Sequence, residues 1–515
     1  MRSGNENQPK ATAREWIGLA VLALPCLIYS MDLTVLYLAL PQIAEQLRPS
    51  STQLLWMVDI YGFLLAGFLV TMGTLGDRIG RRKLLMIGAA AFGAASVLAA
   101  FSTSAEMLIA SRALLGVTAA TLSPSTLSLI RNMFLDEAQR GFAIGVWVAA
   151  FSAGGILGPL FGGLLLEHFW WGSVFLIAVP AMVLLLVLGP LLLPEFRDEN
   201  AGRLDLPSAV LATSAVLSVI YGIKRLAEGG FALAPLLAVV LGVVLARVFL
   251  RRQTRLADPM IDVRLFAEPR FGAALACNII TMFVAFGFFL FVAQYFQLVL
   301  GLSPLQAGLW TLPSGVVFVI GSLSGPPLAQ RLGVANVIAG GLGLSVLGFA
   351  LLTQLGNLSF FWLMVGYTVF CMGLAPIGAL TTGLVMSAVP PERAGVASGM
   401  SETSFEFGGA LGIAVLGSVV TALYRGGIET GLPAGLPPGA LEAARDTLGG
   451  AVGAARELGA AGEPMLAAAR AVYTRTLEQA AWLCGALSLA GMAVIISLRR
   501  RLEAPGSVPG DNHAP

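Results

Sequence analysis

The phrase Gly73-Thr74-Leu75-Gly76-Asp77-Arg78-Ile79-Gly80-Arg81-Arg82-Lys83 separates two apolar runs, 52–73 and 84–102, each long enough to cross a bilayer as a helix. Glycine frees the backbone for a tight reversal between two such helices, and Arg78, Arg81, Arg82 and Lys83 pin the reversal to the side that carries positive charge. Basic residues alone would meet that topological need, so Asp77 asks for another reason. A carboxylate here can pair with an arginine or cap a helix of a neighbouring bundle. Such a contact would hold one face closed and break when two bundles rock apart; the plainer reading is a turn that sets topology only.

Outward from this turn the same alternation continues. Apolar runs of roughly 20 residues lie at 16–40, 52–73, 84–102, 106–130, 141–166, 172–193, 206–226, 232–250, 271–298, 306–327, 334–354, 359–387, 394–424 and 474–498. The chain of 515 residues is 57% hydrophobic and 12% charged with a mean hydropathy of +0.83, values that exclude a soluble globular protein. A net charge of +2 gives no reason to expect a nucleic-acid partner. The first run lacks a small-residue cleavage pattern and reads as a span, not a signal peptide. Fourteen spans put both termini on one side. The loops of that side carry about 21 basic residues and the short alternate loops about three, so both termini are expected to be cytoplasmic.

Two segments interrupt the rhythm. The stretch 247–270, with Arg251, Arg252, Arg255, Arg264 and Arg270, is the most basic loop and reads as a linker. The region 425–473 is rich in Gly, Ala and Pro, is too polar to span, and falls on the external side of this topology; its 440–470 part predicts a short helical hairpin over the pore mouth. Cys26, Cys277, Cys371 and Cys484 lie in four separate apolar segments and read as free core thiols. No residue spacing calls for a metal or a cofactor.

Four carboxylates stand inside spans: Asp32, Asp59, Glu402 and Glu406. Ionisable groups at that depth mark an ion or substrate pathway. Glu402 and Glu406 are one helical turn apart and repel when both ionised, so they are expected to keep a proton when no cation is bound. Asp32 and Asp59 reach similar depths in the first two spans. Trp56, Asp59, Ile60 and Phe63 share a helix face, and a carboxylate beside aromatic rings offers a lipophilic cation both charge and cation–π contact. Asp59 could also sit near the headgroups, with Trp56 as an interfacial anchor. Arg112, alone in the fourth span, is a counter-ion to one of these acids or a clamp on backbone carbonyls. Tyr29 and Trp147 are further candidates to line a cavity, although any one aromatic can face lipid or core. In the fifth span Gly154, Gly158 and Gly162 recur on one face, where helices can approach closely, with Gly163 beside them and Pro159 as a possible bend.

The 73–83 phrase closely resembles the G-x-L-a-D-r-x-G-r-k signature of the major facilitator superfamily. Arg112-Ala113-Leu114-Leu115-Gly116 is similar to that superfamily's R-x-x-x-G motif, and 154–163 looks like the G-x-x-x-G-P-x-x-G-G signature of its drug:proton antiporters. Asp32-Leu33-Thr34-Val35 with Ala39-Leu40-Pro41 resembles a phrase of the fourteen-span antiporters. Trp56-Met57-Val58-Asp59-Ile60-Tyr61 and the acidic thirteenth span resemble efflux pumps for quaternary ammonium compounds of the QacA and SmvA type. Two departures stand out: 312–318 holds no carboxylate where QacA-type pumps place one, and Gly325-Pro326-Pro327-Leu328-Ala329-Gln330-Arg331-Leu332-Gly333, the second-half counterpart of the loop signature, lacks its Asp.

The resemblance implies an all-α polytopic membrane protein of the major facilitator fold with 14 transmembrane helices in a 6 + 2 + 6 order. A tail (1–15) would precede a six-helix bundle (16–193), two extra helices with the basic linker (194–270), a second bundle carrying the external insertion (271–498) and a cytoplasmic tail (499–515). It further implies a monomer in the bacterial cytoplasmic (inner) membrane that exports lipophilic, monovalent cationic drugs, dyes or antiseptics in exchange for protons, with the span-five glycines at the interface between bundles. The alternative of the same class exports an anionic or neutral metabolite and uses the acids for proton coupling only. A membrane-embedded enzyme would need a nucleophile, metal cluster or phosphate cradle, and none is visible; His168 and His513 lie at a helix end and in the tail.

Overall fold

A computed structural model describes residues 9–47, 49, 51–197, 205–229, 232–256, 259–261, 263–302, 304–357, 359–429, 432 and 436–503. Its elements are helical. The first half holds α1 (Ala13–Leu47), α2 (Ser51–Ile79), α3 (Arg81–Ala100), α4 (Ala105–Met133), α5 (Glu137–His168), α6 (Ser173–Leu176) and α7 (Ala178–Leu192). Then come α8 (Leu206–Gly229) and α9 (Leu233–Gln253). The second half holds α10 (Pro269–Gln294), α11 (Pro304–Leu332), α12 (Val334–Leu352), α13 (Phe360–Ser387), α14 (Ala394–Ile428), α15 (Pro438–Asp446), α16 (Leu448–Leu458) and α17 (Glu463–Glu503). Among the described residues fourteen segments are long and apolar enough to cross a membrane, as the apolar runs predict. The sixth is broken into α6 and α7 because Pro180 has no N–H to offer the carbonyl of Leu176.

Each half buries its own apolar cluster, one built mainly from α1–α7 and the other from α10–α17. Helix pairing repeats between them: α1 lies on α5 as α10 lies on α14, α2 on α4 as α11 on α13, and α3 on α4 and α7 as α12 on α13 and α17. This is the internal repeat of a two-bundle transporter. The halves meet along two equivalent seams, α2 against α14 and α5 against α11. The helices α8 and α9 form a hairpin whose α8 touches both α2 and α14, while α9 turns Leu236, Val240 and Val244 outward. Arg252 closes the hairpin's base on Asp205 (2.9 Å), and Gln253 bonds Ser208.

The 425–473 region contains the helical pair α15 and α16, seated on α14 and α17, with the Tyr424 hydroxyl donating to the Ala444 carbonyl at 2.9 Å. Its last part differs from expectation. Helix α17 starts at Glu463, not near 474, because the run 463–473 has no breaker after Pro464 and Tyr473 is buried against Tyr424.

Candidate functional site

Among the described residues two charged clusters stand out, one built on first-half helices and met by the acids of α14, the other tying the two halves together. In the first, Arg112 of α4 donates from Nη1 to Asp32 Oδ2 of α1 at 2.5 Å, with both side chains buried. Its Nε donates to the Met57 carbonyl of α2 at 3.2 Å, so the arginine is at once counter-ion and backbone clamp. The guanidinium rests 4.5 Å from the centre of the Tyr61 ring, and the Tyr61 hydroxyl donates to the Tyr29 carbonyl. Gly116 explains how α2 comes so near: a Cβ there would lie 2.4 Å from the Tyr61 carbonyl oxygen. The R-x-x-x-G phrase thus grips Tyr61 from two sides. Tyr61 was not singled out in the sequence, although an aromatic residue in an acid-bearing span is a usable signal.

Helix α14 brings its acids to this layer from the other half. Glu402 is 6% exposed and lies beside Tyr29 of α1 and Ser123 of α4. Its Oε1 is buried with no hydrogen-bond partner among the described residues. Glu406, one turn on, is half-buried and within electrostatic reach of Tyr61. Asp32, Arg112, Glu402 and Glu406 therefore converge on one level from α1, α4 and α14. The side chain of Asp59 lies outside the described residues.

The aromatics divide. Tyr29 borders the acids, its hydroxyl donating to Ser123 Oγ at 3.4 Å. Trp147 is packed inside the first half, where Nε1 donates to Thr126 Oγ1 at 2.9 Å; it does not open onto a cavity as the sequence suggested. Trp56 and Phe63 meet edge to face, and Phe63 continues to Tyr221 of α8, so this face of α2 turns to the extra hairpin.

The second cluster is the 73–83 turn. Asp77 is buried and accepts from Arg81 Nε at 2.8 Å; its two oxygens also accept the backbone N–H groups of Gly395 and Val396, at 3.0 and 3.1 Å. The acid both pairs with an arginine and caps the first turn of α14 in the opposite half, where helix dipole and orphan N–H groups favour an anion. Arg81 extends the tie, donating from Nη2 to the carbonyls of Pro391 and Glu392. Gly73 makes the approach possible, since a Cβ there would stand 2.2 Å from the Gly395 carbonyl oxygen. Gly76 lies under Leu84 and Ser125, and Gly80 has φ 111°, a backbone conformation open to glycine. Arg78 is half-buried. Arg82 donates to the Leu193 carbonyl, and Glu195 accepts the backbone N–H groups of Arg82 and Lys83 at the start of α3.

The glycine face of α5 does not lie between the bundles. A Cβ on Gly154 would meet the Leu27 carbonyl at 2.3 Å, and one on Gly158 would meet Thr34 Oγ1 at 2.1 Å, so these residues seat α1 on α5 within the first half. Gly162 is buried, Gly163 borders open space, and the side chain of Pro159 lies outside the described residues. The period of four marks a close helix contact but not the partner. Contact of α5 with α11 falls nearer its start, where a Cβ on Gly145 would lie 2.9 Å from the Ser322 carbonyl. By seating 27–34, the glycines set the height of Asp32.

Comparison with known proteins agrees with this arrangement. The family model of the Major Facilitator Superfamily matches residues 22–413. The chain is 43% identical to the multidrug efflux pump LfrA of Mycolicibacterium smegmatis over 96% of this chain and 99% of that one. It is 39% identical to the methyl viologen resistance protein SmvA of Salmonella typhimurium, over 89% and 93%. Among solved structures, the human organic anion transporter MFSD10 aligns with a TM-score of 0.59 at 16% identity over 93% of this chain and 100% of that one, a likeness of fold. A fold of two repeated bundles with acids between them, joined by relatives that match nearly end to end, makes this chain a multi-pass membrane protein belonging to the Major Facilitator Superfamily.

Proposed function

We propose that the protein exports lipophilic cationic drugs, dyes or antiseptics in exchange for protons, as a monomer in the bacterial cytoplasmic membrane with both termini inside. The observation that carries this reading is Glu402, whose buried oxygen has no partner among the described residues and which lies beside Tyr29 and Ser123 of the other half. A buried carboxyl oxygen without a partner makes the charged form costly, and a cation arriving beside it lowers that cost. Drug and proton then compete for the same acids. A multidrug efflux pump among the relatives supports a drug as cargo, and a methyl viologen resistance protein supports a cationic one.

In this scheme Asp32 is held by Arg112, and Glu402 and Glu406 exchange proton for drug. Tyr29 and Tyr61 supply aromatic faces to the cation. Asp77 and Arg81 hold the cytoplasmic end of α2 to α14 and let go when the halves rock. The six-helix bundles 16–193 and 271–498 would be the moving bodies, with 194–270 between them.

Ethidium uptake into inverted vesicles under an imposed proton gradient tests the proposal. Gradient-dependent uptake by the wild type, lost in Asp32→Asn, is expected. No uptake by the wild type would overturn cation export and leave a metabolite cargo.

A further inference from the structure

Ser398 lies one turn before Glu402 on α14, about 6 Å along the axis. Its hydroxyl is fully buried and, like Glu402 Oε1, has no hydrogen-bond partner among the described residues. Two orphaned polar atoms on one helix, four residues apart, are unusual, because buried polar groups are nearly always satisfied. The neighbouring hydroxyls of α14 are occupied differently: Ser401 and Ser404 turn into the second half, where both accept from Asn278 Nδ2. Ser398 and Glu402 belong instead to the face that meets the first half. On that face Gly399 packs on Leu69 and Val70, and Gly395 is capped by Asp77. Across the seam α4 contributes Ser123 beside Glu402 and, five residues on, the Ser128 carbonyl, which accepts from Arg81. Ser398 thus stands on α14 between Glu402 and the residues that Asp77 caps, Gly395 and Val396.

We propose that Ser398 is the proton-carrying group next to Glu402, on a route that leads along the α14 face to the end of the bundle holding the 73–83 turn. The inference rests on Glu402 being a coupling acid, as argued above. A water molecule bridging Glu402 Oε1 and Ser398 Oγ would satisfy both atoms. A proton leaving the Glu402 carboxyl passes to that water, which gives one of its own to Ser398 Oγ, and Ser398 releases its original proton to a second water on the side of the 73–83 turn, which carries it to bulk solvent. Only O–H bonds form and break, and the hydroxyl is restored when it rotates back. The titratable and charged groups around the start of this route are Cys26 and Tyr29 on α1, the Asp32–Arg112 pair, and Glu406; around its end they include Asp77, Arg81, Arg131 and Glu392.

The test uses purified full-length protein in proteoliposomes, with two readings: ethidium transport driven by a proton gradient, and ethidium exchange at equal pH, which needs no net proton movement. Ser398→Ala is expected to lower gradient-driven transport by about tenfold or more while exchange is kept, and Ser398→Thr, which retains the hydroxyl, to stay within about twofold of wild type. Gradient-driven transport by Ser398→Ala equal to wild type overturns the route. If alanine abolishes exchange as well, Ser398→Cys, similar in volume but a poorer proton carrier, is read instead by the same two criteria. Glu402→Gln separates the two failures: if it keeps proton coupling, the coupling role of Glu402 is wrong, whereas its loss of coupling beside an unaffected Ser398→Ala refutes only the route through Ser398.

Discussion

The turn between α2 and α3 and the turn between α11 and α12 hold equivalent places in the two halves, and they share a backbone but not a chemistry. Gly80 and Gly333 both sit at positive φ, 111° and 87°, immediately before the next helix. Three residues earlier the first turn has buried Asp77 and the second has exposed Gln330; one residue later stand Arg81 and Val334. The helices across the seams differ to match. Helix α5 is capped by its own Asp136, which accepts from Gln139 N at 2.8 Å, whereas α14 has no side-chain cap of its own at Arg393 and receives Asp77 from the other half. Chain reversal needs the glycine in both halves. The acid serves something only one seam does, and holding that seam shut reversibly is what such a contact can do.

The largest effect should come from Asp77→Asn. It leaves Arg81 buried without its carboxylate and weakens the cap on α14, and breaking a buried pair in this way costs about 3–5 kcal/mol. Ethidium export should fall at least about tenfold as the closed seam loses population. Export close to wild type would mean that the two turns do not differ in function. Next is Gly73→Ala, whose Cβ would press on the Gly395 carbonyl across the seam; Gly325→Ala, beside Pro326, which holds the corresponding place in the second turn, would meet Pro376 of its own half less closely, at 2.9 Å. Export assays of the pair should show the greater loss at Gly73, and equal losses would break the asymmetry.

Gly80→Ala and Gly333→Ala should each destabilise by about 1–3 kcal/mol for a side chain at positive φ, with Gly80→Ala modestly worse because its Cβ would also displace Glu195. Thermal unfolding in detergent measures this, and a large difference between them would show that the turns do not share a backbone role. Gln330→Asp restores the acid where it stays in solvent, so transport should change by less than about twofold. The smallest effect is expected outside both halves. Hydrogen bonds from Arg252 and Ser208 hold the Asp205 carboxyl below the usual carboxylate range. Its stabilising contribution is full above that range and is lost as pH falls through the lowered value, so Asp205→Asn and wild type should differ slightly near neutrality and converge on acidification past that lowered value. Divergence on acidification would reverse the sign.

Much of this was legible in the sequence for physical reasons. Spans must satisfy their backbone internally, so apolar length reports them directly, and fourteen runs became fourteen crossing segments. The charged turn could be read as pair or cap because only those partners suit a carboxylate among arginines. Partner choice was not legible. The glycine face of α5 chose α1, Trp147 chose Thr126, and Phe63 chose Tyr221 of an added helix, since each periodicity names a face but not what lies opposite. Tyr61 stayed hidden because its importance comes from α4, through Arg112 and Gly116, not from its own neighbours in sequence.

The most direct test of the whole account is proton release on drug binding, followed with a pH indicator as ethidium is added to purified protein in weak buffer. The account predicts that the wild type releases protons in proportion to occupied sites and that Glu402→Gln releases fewer at equal occupancy. Binding without proton release in the wild type would contradict it.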